Sequence, residues 1–112
     1  MTELKPQLKT TRFDISCLPE NHPEQHAYTL QVEYRGRNKW CVRDGFGFCY
    51  DRDGNRSYES LPTNREDEWL AQHRFALMEA LVLAKRLAPG IIRGGVTVEQ
   101  TMDWYDPKEC ID

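Results

Sequence analysis

Residues 28–43 read YTLQVEYRGRNKWCVR, and this stretch decides the predicted fold. Apolar and polar residues alternate on both sides of a turn at Gly36 and Asn38, which is the period-two pattern of half-buried strands. The alternating apolar positions are Tyr28, Leu30, Val32, Tyr34, Trp40 and Val42. A short turn between two such strands predicts an antiparallel hairpin.

The alternation extends beyond this hairpin on both sides. A strand before it is indicated by apolar residues at every second position, Phe13, Ile15 and Cys17. After it, we expect residues 46–50 to continue the ribbon past a bulge at Gly45, and residues 56–60 to return after the turn DRDGN at 51–55. The sequence therefore predicts a three- to four-stranded antiparallel β-meander.

One long helix is predicted to follow the sheet. Thr63 and Glu66 form a capping box at its start, and Pro89 ends it about 25 residues later. The residues expected to meet in the core are Tyr28, Leu30, Val32, Trp40 and Val42 of the sheet and Leu70, Leu77, Leu81 and Ala84 of the helix. Residues 91–96 predict a short extended or hairpin element, and Thr97 with Gln100 predicts a final capped turn of helix. The predicted fold class is α+β, with the meander packed on one long α-helix and a short C-terminal element.

Composition agrees with a single domain. The chain has 112 residues, of which 39% are hydrophobic and 29% are charged, so it can bury a core without disulfides or metals. We expect a flexible N-terminal segment at residues 1–11, one α+β domain at 12–105 and a C-terminal tail at 106–112.

Charge and hydropathy limit the classes of function. Fifteen Lys and Arg residues against eighteen Asp and Glu residues give a net charge of −3, so no overall positive field attracts a polyanion. No apolar stretch approaches the roughly 20 residues that span a bilayer, and the N-terminal residues do not form a secretory signal. We therefore expect a cytoplasmic protein without a membrane partner. Its four cysteines form no C-x-x-C pair and are expected to be free thiols.

The predicted helix carries more apolar surface than one sheet can cover. A second apolar strip, outside the face directed at the sheet and bounded by two basic residues, consists of Phe75, Met78 and Val82 between Arg74 and Lys85. Residues 91–104 could fold back over this strip. Alternatively, the strip contacts a target protein or a second copy of the chain in a homodimer.

Basic and aromatic residues cluster around the hairpin turns. The basic residues are Arg35, Arg37, Lys39, Arg43, Arg52 and Arg56, and the aromatic residues among them are Tyr34, Trp40 and Tyr50. Such a mixture can bind phosphates and stack bases, as in sheet-type nucleic-acid readers. It is equally typical of charged residues that keep the edges of hairpins soluble. Nucleic acid is therefore the second choice of partner.

The sequence pattern assembles no metal, cofactor or catalytic site. The turn at 51–55 lacks the Gly at position six and the Glu at position twelve of a calcium loop, where Arg56 and Pro62 stand. His22 and His26 lack the paired ligands of a zinc knuckle. His73 is expected on the inward face of the helix as a core histidine.

The runs KWCVRDG at residues 39–45 and EDEWLAQHRF at residues 66–75 resemble those of small uncharacterised proteins encoded by actinobacteria and their phages. The resemblance implies a phage or prophage accessory protein that acts in the host cytoplasm and binds a host protein, as an inhibitor or in anti-defence. Together with the missing catalytic residues and the surplus apolar strip, it favours a non-enzymatic protein-interaction module. The alternative is a nucleic-acid-binding module that uses the basic hairpin edge. A small enzyme or ligand sensor that uses His73 and a cysteine is the third hypothesis.

Overall fold

A computed structural model describes residues 4–59, 61 and 65–104. Antiparallel strands form a five-stranded sheet in the order in which they occur along the chain. They are β1 (Arg12–Ser16), β2 (Thr29–Tyr34), β3 (Trp40–Arg43), β4 (Phe48–Tyr50) and β5 (Arg56–Tyr58). The α+β class and the meander are confirmed, and the sheet is somewhat larger than the predicted three to four strands.

The central hairpin is formed by β2 and β3, as predicted. Val32 lies opposite Val42, and Tyr34 lies opposite Trp40. Val32 and Val42 have no exposed surface. Alternating residues of both strands therefore line the core.

The connection between β3 and β4 is a tight turn instead of the predicted bulge. Asp44 is buried at its start, and its carboxylate accepts hydrogen bonds from the backbone N–H groups of Phe46 (2.8 Å) and Phe48 (3.3 Å). These bonds stabilise a reversal of the chain, so β4 begins only at Phe48 and pairs antiparallel with β3. β5 then returns after the turn at 51–55, as predicted.

The predicted long helix is two helices, α1 (Asp67–His73) and α2 (Leu77–Leu87). Between them the backbone is extended, and Phe75 makes two hydrogen bonds with Trp40 of β3. The Phe75 N–H donates to the Trp40 carbonyl (2.9 Å), and the Trp40 N–H donates to the Phe75 carbonyl (2.8 Å). The structure differs from the prediction here because β3 satisfies backbone groups that a continuous helix would bond internally. The predicted cap at Thr63 lies outside the described residues.

The core lies between the sheet and α2. Its buried residues from these layers include Leu30, Val32, Trp40, Val42, Ala80, Leu83 and Ala84. Phe75, at the break between the helices, has the largest of the fully buried side chains. Leu77 and Leu81, which the sequence predicted as core residues, are only partly buried against this cluster.

The C-terminal element is a hairpin followed by a short helix, as predicted. β6 (Ile92–Arg93) pairs with β7 (Val96–Thr97), and α3 spans Val98–Asp103. In the predicted capping box, the Gln100 N–H donates to the Thr97 hydroxyl (3.1 Å) and the Thr97 N–H donates to Gln100 Oε1 (2.9 Å). The predicted tail at 106–112 lies outside the described residues. Within the described ranges, no helix is long and apolar enough to cross a membrane.

Candidate functional site

An apolar groove runs along the exposed side of α2. Met78 and Val82 are 70% and 64% exposed, and as an i, i+4 pair they are neighbours on the helix surface. Buried Phe75 and Leu83 form the floor of this groove, which encloses about 410 Å³. The prediction that Phe75 lies outside the core is wrong: its side chain is 2% exposed because the extended backbone at the helix break directs it toward the sheet.

The rim of the apolar groove is charged. The Arg52 guanidinium donates to the Glu79 carboxylate (2.9 Å), and Arg86 also lines the groove. Lys85, predicted to flank the strip, is exposed next to Arg86 but is not one of the residues that line the groove. Arg74, predicted to flank the strip, is buried and does not line the groove. Because Arg52 neutralises Glu79, the remaining rim has an excess of positive charge.

Residues 91–104 do not cover the apolar groove. None of them lines it, and the segment packs against residues 22–28 instead. There the Tyr28 hydroxyl donates to the Val96 carbonyl (2.8 Å), and Nε2 of buried His22 lies 3.3 Å from the Thr101 carbonyl. Contact of the groove with a target protein or with a second copy stays a prediction.

Arg52, predicted as a nucleic-acid contact, stabilises the break between the helices. Its guanidinium donates to the carbonyls of Ala71 (2.7 Å) and Arg74 (2.9 Å) as well as to Glu79. The last carbonyls of a helix lack partners within that helix. Arg52 therefore caps α1 and ties it to α2.

Arg35 and Arg43 are paired with acidic residues of the sheet region. Arg35 contacts Glu33 (3.0 Å) and Glu59 (3.4 Å), and Arg43 contacts the same two carboxylates at 3.4 and 3.9 Å. The four charges cancel, which weakens the attraction of either arginine for a phosphate.

Arg56 is bound to the buried carboxylate of Asp44. Its Nε donates to Asp44 Oδ2 at 2.9 Å, and Nη2 of Arg93 lies 3.7 Å from the same oxygen. Burial raises the pKa of the nearby Tyr50 hydroxyl, and the negative charge of Asp44 raises it further. The sequence analysis missed Asp44 because Asp before Gly indicates a turn but does not indicate burial.

The aromatic residues of the hairpins are poorly placed for base stacking. Trp40 and Tyr50 are each 7% exposed. The Lys9 ammonium lies 3.6 Å from the centroid of the Tyr34 ring. Together with the ion pairs, these contacts weigh against the nucleic-acid reader that the sequence offered as an alternative.

A second concave surface, which we call the basic pocket, lies between the β2–β3 turn and α1. Its charged residues are Arg35, Arg37, Lys39, Arg52, Arg74 and Asp67. The basic pocket encloses about 760 Å³. Within the described residues, neither Arg37 nor Lys39 forms an ion pair, although the positive charge of Lys39 contributes to the lowered pKa of Glu79.

Of the three cysteines in the described residues, Cys17 is exposed and the other two are buried. Cys41 and Cys49 are each 1% exposed, and burial raises the pKa of both thiols, which keeps them protonated near neutral pH. Nδ1 of His73 lies 2.8 Å from the Trp69 carbonyl, and the two rings stack, as predicted for a core histidine. These contacts weigh against the small enzyme or sensor.

The described part of the chain holds no group of three or more His, Cys, Asp or Glu side chains that could bind a metal ion. Nδ1 of His22 accepts a hydrogen bond from the Glu24 N–H (2.9 Å), whereas His26 is exposed. One imidazole is therefore buried and hydrogen-bonded, and the other faces solvent.

Comparisons with protein-family models, with curated proteins and with solved structures give no match for this chain. The apolar groove and the basic pocket are therefore the features of this chain that bear on its function. The resemblance to actinobacterial and phage proteins stays an expectation.

Proposed function

We propose that this protein is a non-enzymatic interaction module, and that its apolar groove binds an apolar segment of a partner protein. The observation that carries the proposal is the exposure of Met78 and Val82 beside a floor of buried Phe75 and Leu83. Exposed apolar groups that line a concave surface are typical of binding sites. Their removal from water stabilises a complex by about 25 cal/mol per Å² of apolar area, before the cost of association.

The rim of the groove indicates the charge of the partner segment. Arg86 and its exposed neighbour Lys85 are not balanced by Glu79, which is paired with Arg52. Complementary charges favour encounter and fix orientation. We therefore propose an apolar side chain with acidic neighbours as the bound segment. If a phage encodes the chain, as the resemblance implies, this partner is a host protein.

Val82→Glu tests the proposal because it places a carboxylate in the apolar groove without altering a buried residue. Ile92→Glu is the matched control, since Ile92 is an aliphatic residue of similar exposure (57%) that does not line the groove. We expect the wild-type chain and Ile92→Glu to retain the same partner protein from a cell lysate. Val82→Glu should lose this partner, while the circular-dichroism melts of all three chains stay alike.

Sedimentation of the purified chain distinguishes a foreign partner from a second copy. A dimer that Val82→Glu dissociates would assign the groove to self-association instead. Retention of the same partner by Val82→Glu would contradict the proposal, and so would unfolding of this variant.

A further inference from the structure

Arg74 is a buried arginine that forms no ion pair with the described residues. Its exposure is 9%, and within the described chain its guanidinium donates one hydrogen bond, to the His73 carbonyl (3.0 Å). The Trp69 ring centroid lies 5.2 Å from its guanidinium carbon. Burial lowers the pKa of Arg74, so the surroundings disfavour its charge. Buried charges in proteins are normally paired, and an anion at this position would pair with Arg74.

The break between α1 and α2 directs Arg74 into the basic pocket. The backbone of residues 74–76 is extended, and successive side chains of an extended segment lie on opposite sides. Phe75 accordingly enters the core, and Arg74 lines the basic pocket.

The basic pocket keeps an excess of positive charge after its ion pairs are formed. Arg35 is balanced by Glu33 and Glu59, and Arg52 is balanced by Glu79. The charged lining residues outside these pairs are Arg37, Lys39 and Arg74, with Asp67 as the opposing carboxylate.

The β2–β3 turn brings two of these positive charges to the pocket. Gly36, Arg37 and Asn38 have φ angles of 90°, 52° and 60°. A left-handed conformation is costly for arginine but not for glycine. Glycine would therefore be more stable than arginine at position 37. Backbone strain of this kind is common at ligand-binding sites.

We propose that the basic pocket binds a phosphate group, with Arg74, Arg37 and Lys39 as its ligands. One guanidinium suffices to bind a carboxylate through two parallel hydrogen bonds. Three cationic groups that line one pocket suit the higher charge and additional oxygens of a phosphate. The phosphate belongs either to a small molecule or to a nucleic-acid backbone. The basic pocket is a different surface from the apolar groove, so this inference does not depend on the proposed function.

Titration of the full chain with inorganic pyrophosphate, in phosphate-free buffer at constant ionic strength, tests the site. Calorimetry should show saturable binding, and the melting temperature should rise with pyrophosphate concentration. Arg74→Met keeps an apolar side chain in the buried position, and it should bind pyrophosphate about tenfold or more weakly. Arg37→Gly removes one charge and relieves the turn, so it should stay folded and also bind more weakly.

Arg12→Gln is the control, because Arg12 is an exposed arginine paired with Asp14 outside the basic pocket. It should bind pyrophosphate as the wild type does. A single-stranded oligonucleotide without terminal phosphates identifies the source: competition with pyrophosphate indicates a nucleic-acid backbone, and no competition indicates a small phosphorylated ligand. Both results support the site. Absence of saturable pyrophosphate binding would overturn the proposal, and so would equal affinities of the wild type, Arg74→Met and Arg37→Gly.

Discussion

At the scale of single residues, arginines of the same chemistry have different roles because their surroundings differ. Arg52 caps α1, and Arg56 neutralises the buried carboxylate of Asp44. Arg37 is exposed and forms no ion pair within the described chain. An arginine is thus available to a ligand only where the fold has left its charge unbalanced.

The cysteines should differ in reactivity. Cys17 is exposed, whereas Cys41 and Cys49 are buried and burial raises their thiol pKa values. Since the thiolate is the reactive form, we expect iodoacetamide to modify Cys17 in the native protein, and Cys41 and Cys49 only after denaturation. Peptide mass spectrometry measures the modification at each site. Equal rates at Cys17 and Cys41 in the native protein would contradict the described burial.

At the scale of elements, the break between α1 and α2 shapes both candidate sites. It places Phe75 under the apolar groove and Arg74 in the basic pocket. Residues 74–76 contain neither Gly nor Pro, the residues that usually interrupt a helix. Contacts with Trp40 and Arg52 stabilise the break instead.

Replacing Arg52 with Met should destabilise the protein by roughly 1–2 kcal/mol, because hydrogen bonds to the carbonyls of Ala71 and Arg74 and to Glu79 are lost. The Arg52 side chain is 40% exposed, so water replaces part of these bonds. Urea unfolding followed by circular dichroism measures the change. Arg12→Gln, which removes an exposed ion pair, should change stability by less than about 0.5 kcal/mol. Identical unfolding curves for Arg52→Met and the wild type would contradict the proposed role.

Local signals predicted most elements but not the interruption of the helix. The alternation in β2 and β3 and the Thr97 capping box depend on residues close in sequence, and the structure confirms them. The break depends on Trp40, which is remote in sequence. Met78 lies within α2, where helical spacing holds, and its predicted exposure is confirmed. Phe75 and Arg74 lie at the break, where helical spacing does not apply, so their predicted exposure is wrong.

At the scale of the whole molecule, charge is unevenly distributed. The chain has a net charge of −3, yet both candidate sites are bordered by basic residues that form no ion pair with the part of the chain that the structure describes. Arg52 lines both the apolar groove and the basic pocket, so the two sites are neighbours. An anion bound in the basic pocket would therefore reduce the positive potential that an acidic partner segment meets at the groove.

Stability should fall in acid. Burial by itself would raise the pKa of Asp51, but the N–H groups of Asn55 and Asp53 donate to its carboxylate, and the net effect is a lowered pKa. The hydrogen bond from Arg52 lowers the pKa of Glu79. Both carboxylates thus bind a proton less readily in the folded chain than in the unfolded chain. Their contribution to stability is complete above about pH 5 and is lost as the pH falls through about 4 and below.

Urea midpoints at neutral pH and at about pH 3 measure this loss. The double variant Asp51→Asn with Glu79→Gln should be less stable than the wild type at neutral pH, and it should lose less stability on acidification. If the variant and the wild type lose the same amount, these two carboxylates do not contribute to the acid sensitivity.

The pair of hydrogen bonds between Trp40 and Phe75 also affects how the chain folds. β3 pairs with β4 at Arg43, and at Trp40 the backbone groups bond instead to the segment between the helices. Closing the long loop between Trp40 and Phe75 costs chain entropy before their hydrogen bonds compensate for it. A fragment that ends after β5 would leave the Trp40 N–H and carbonyl without this partner. The sheet and the helices are therefore expected to form one cooperative folding unit, in which the basic pocket and the floor of the apolar groove are completed in the same late step.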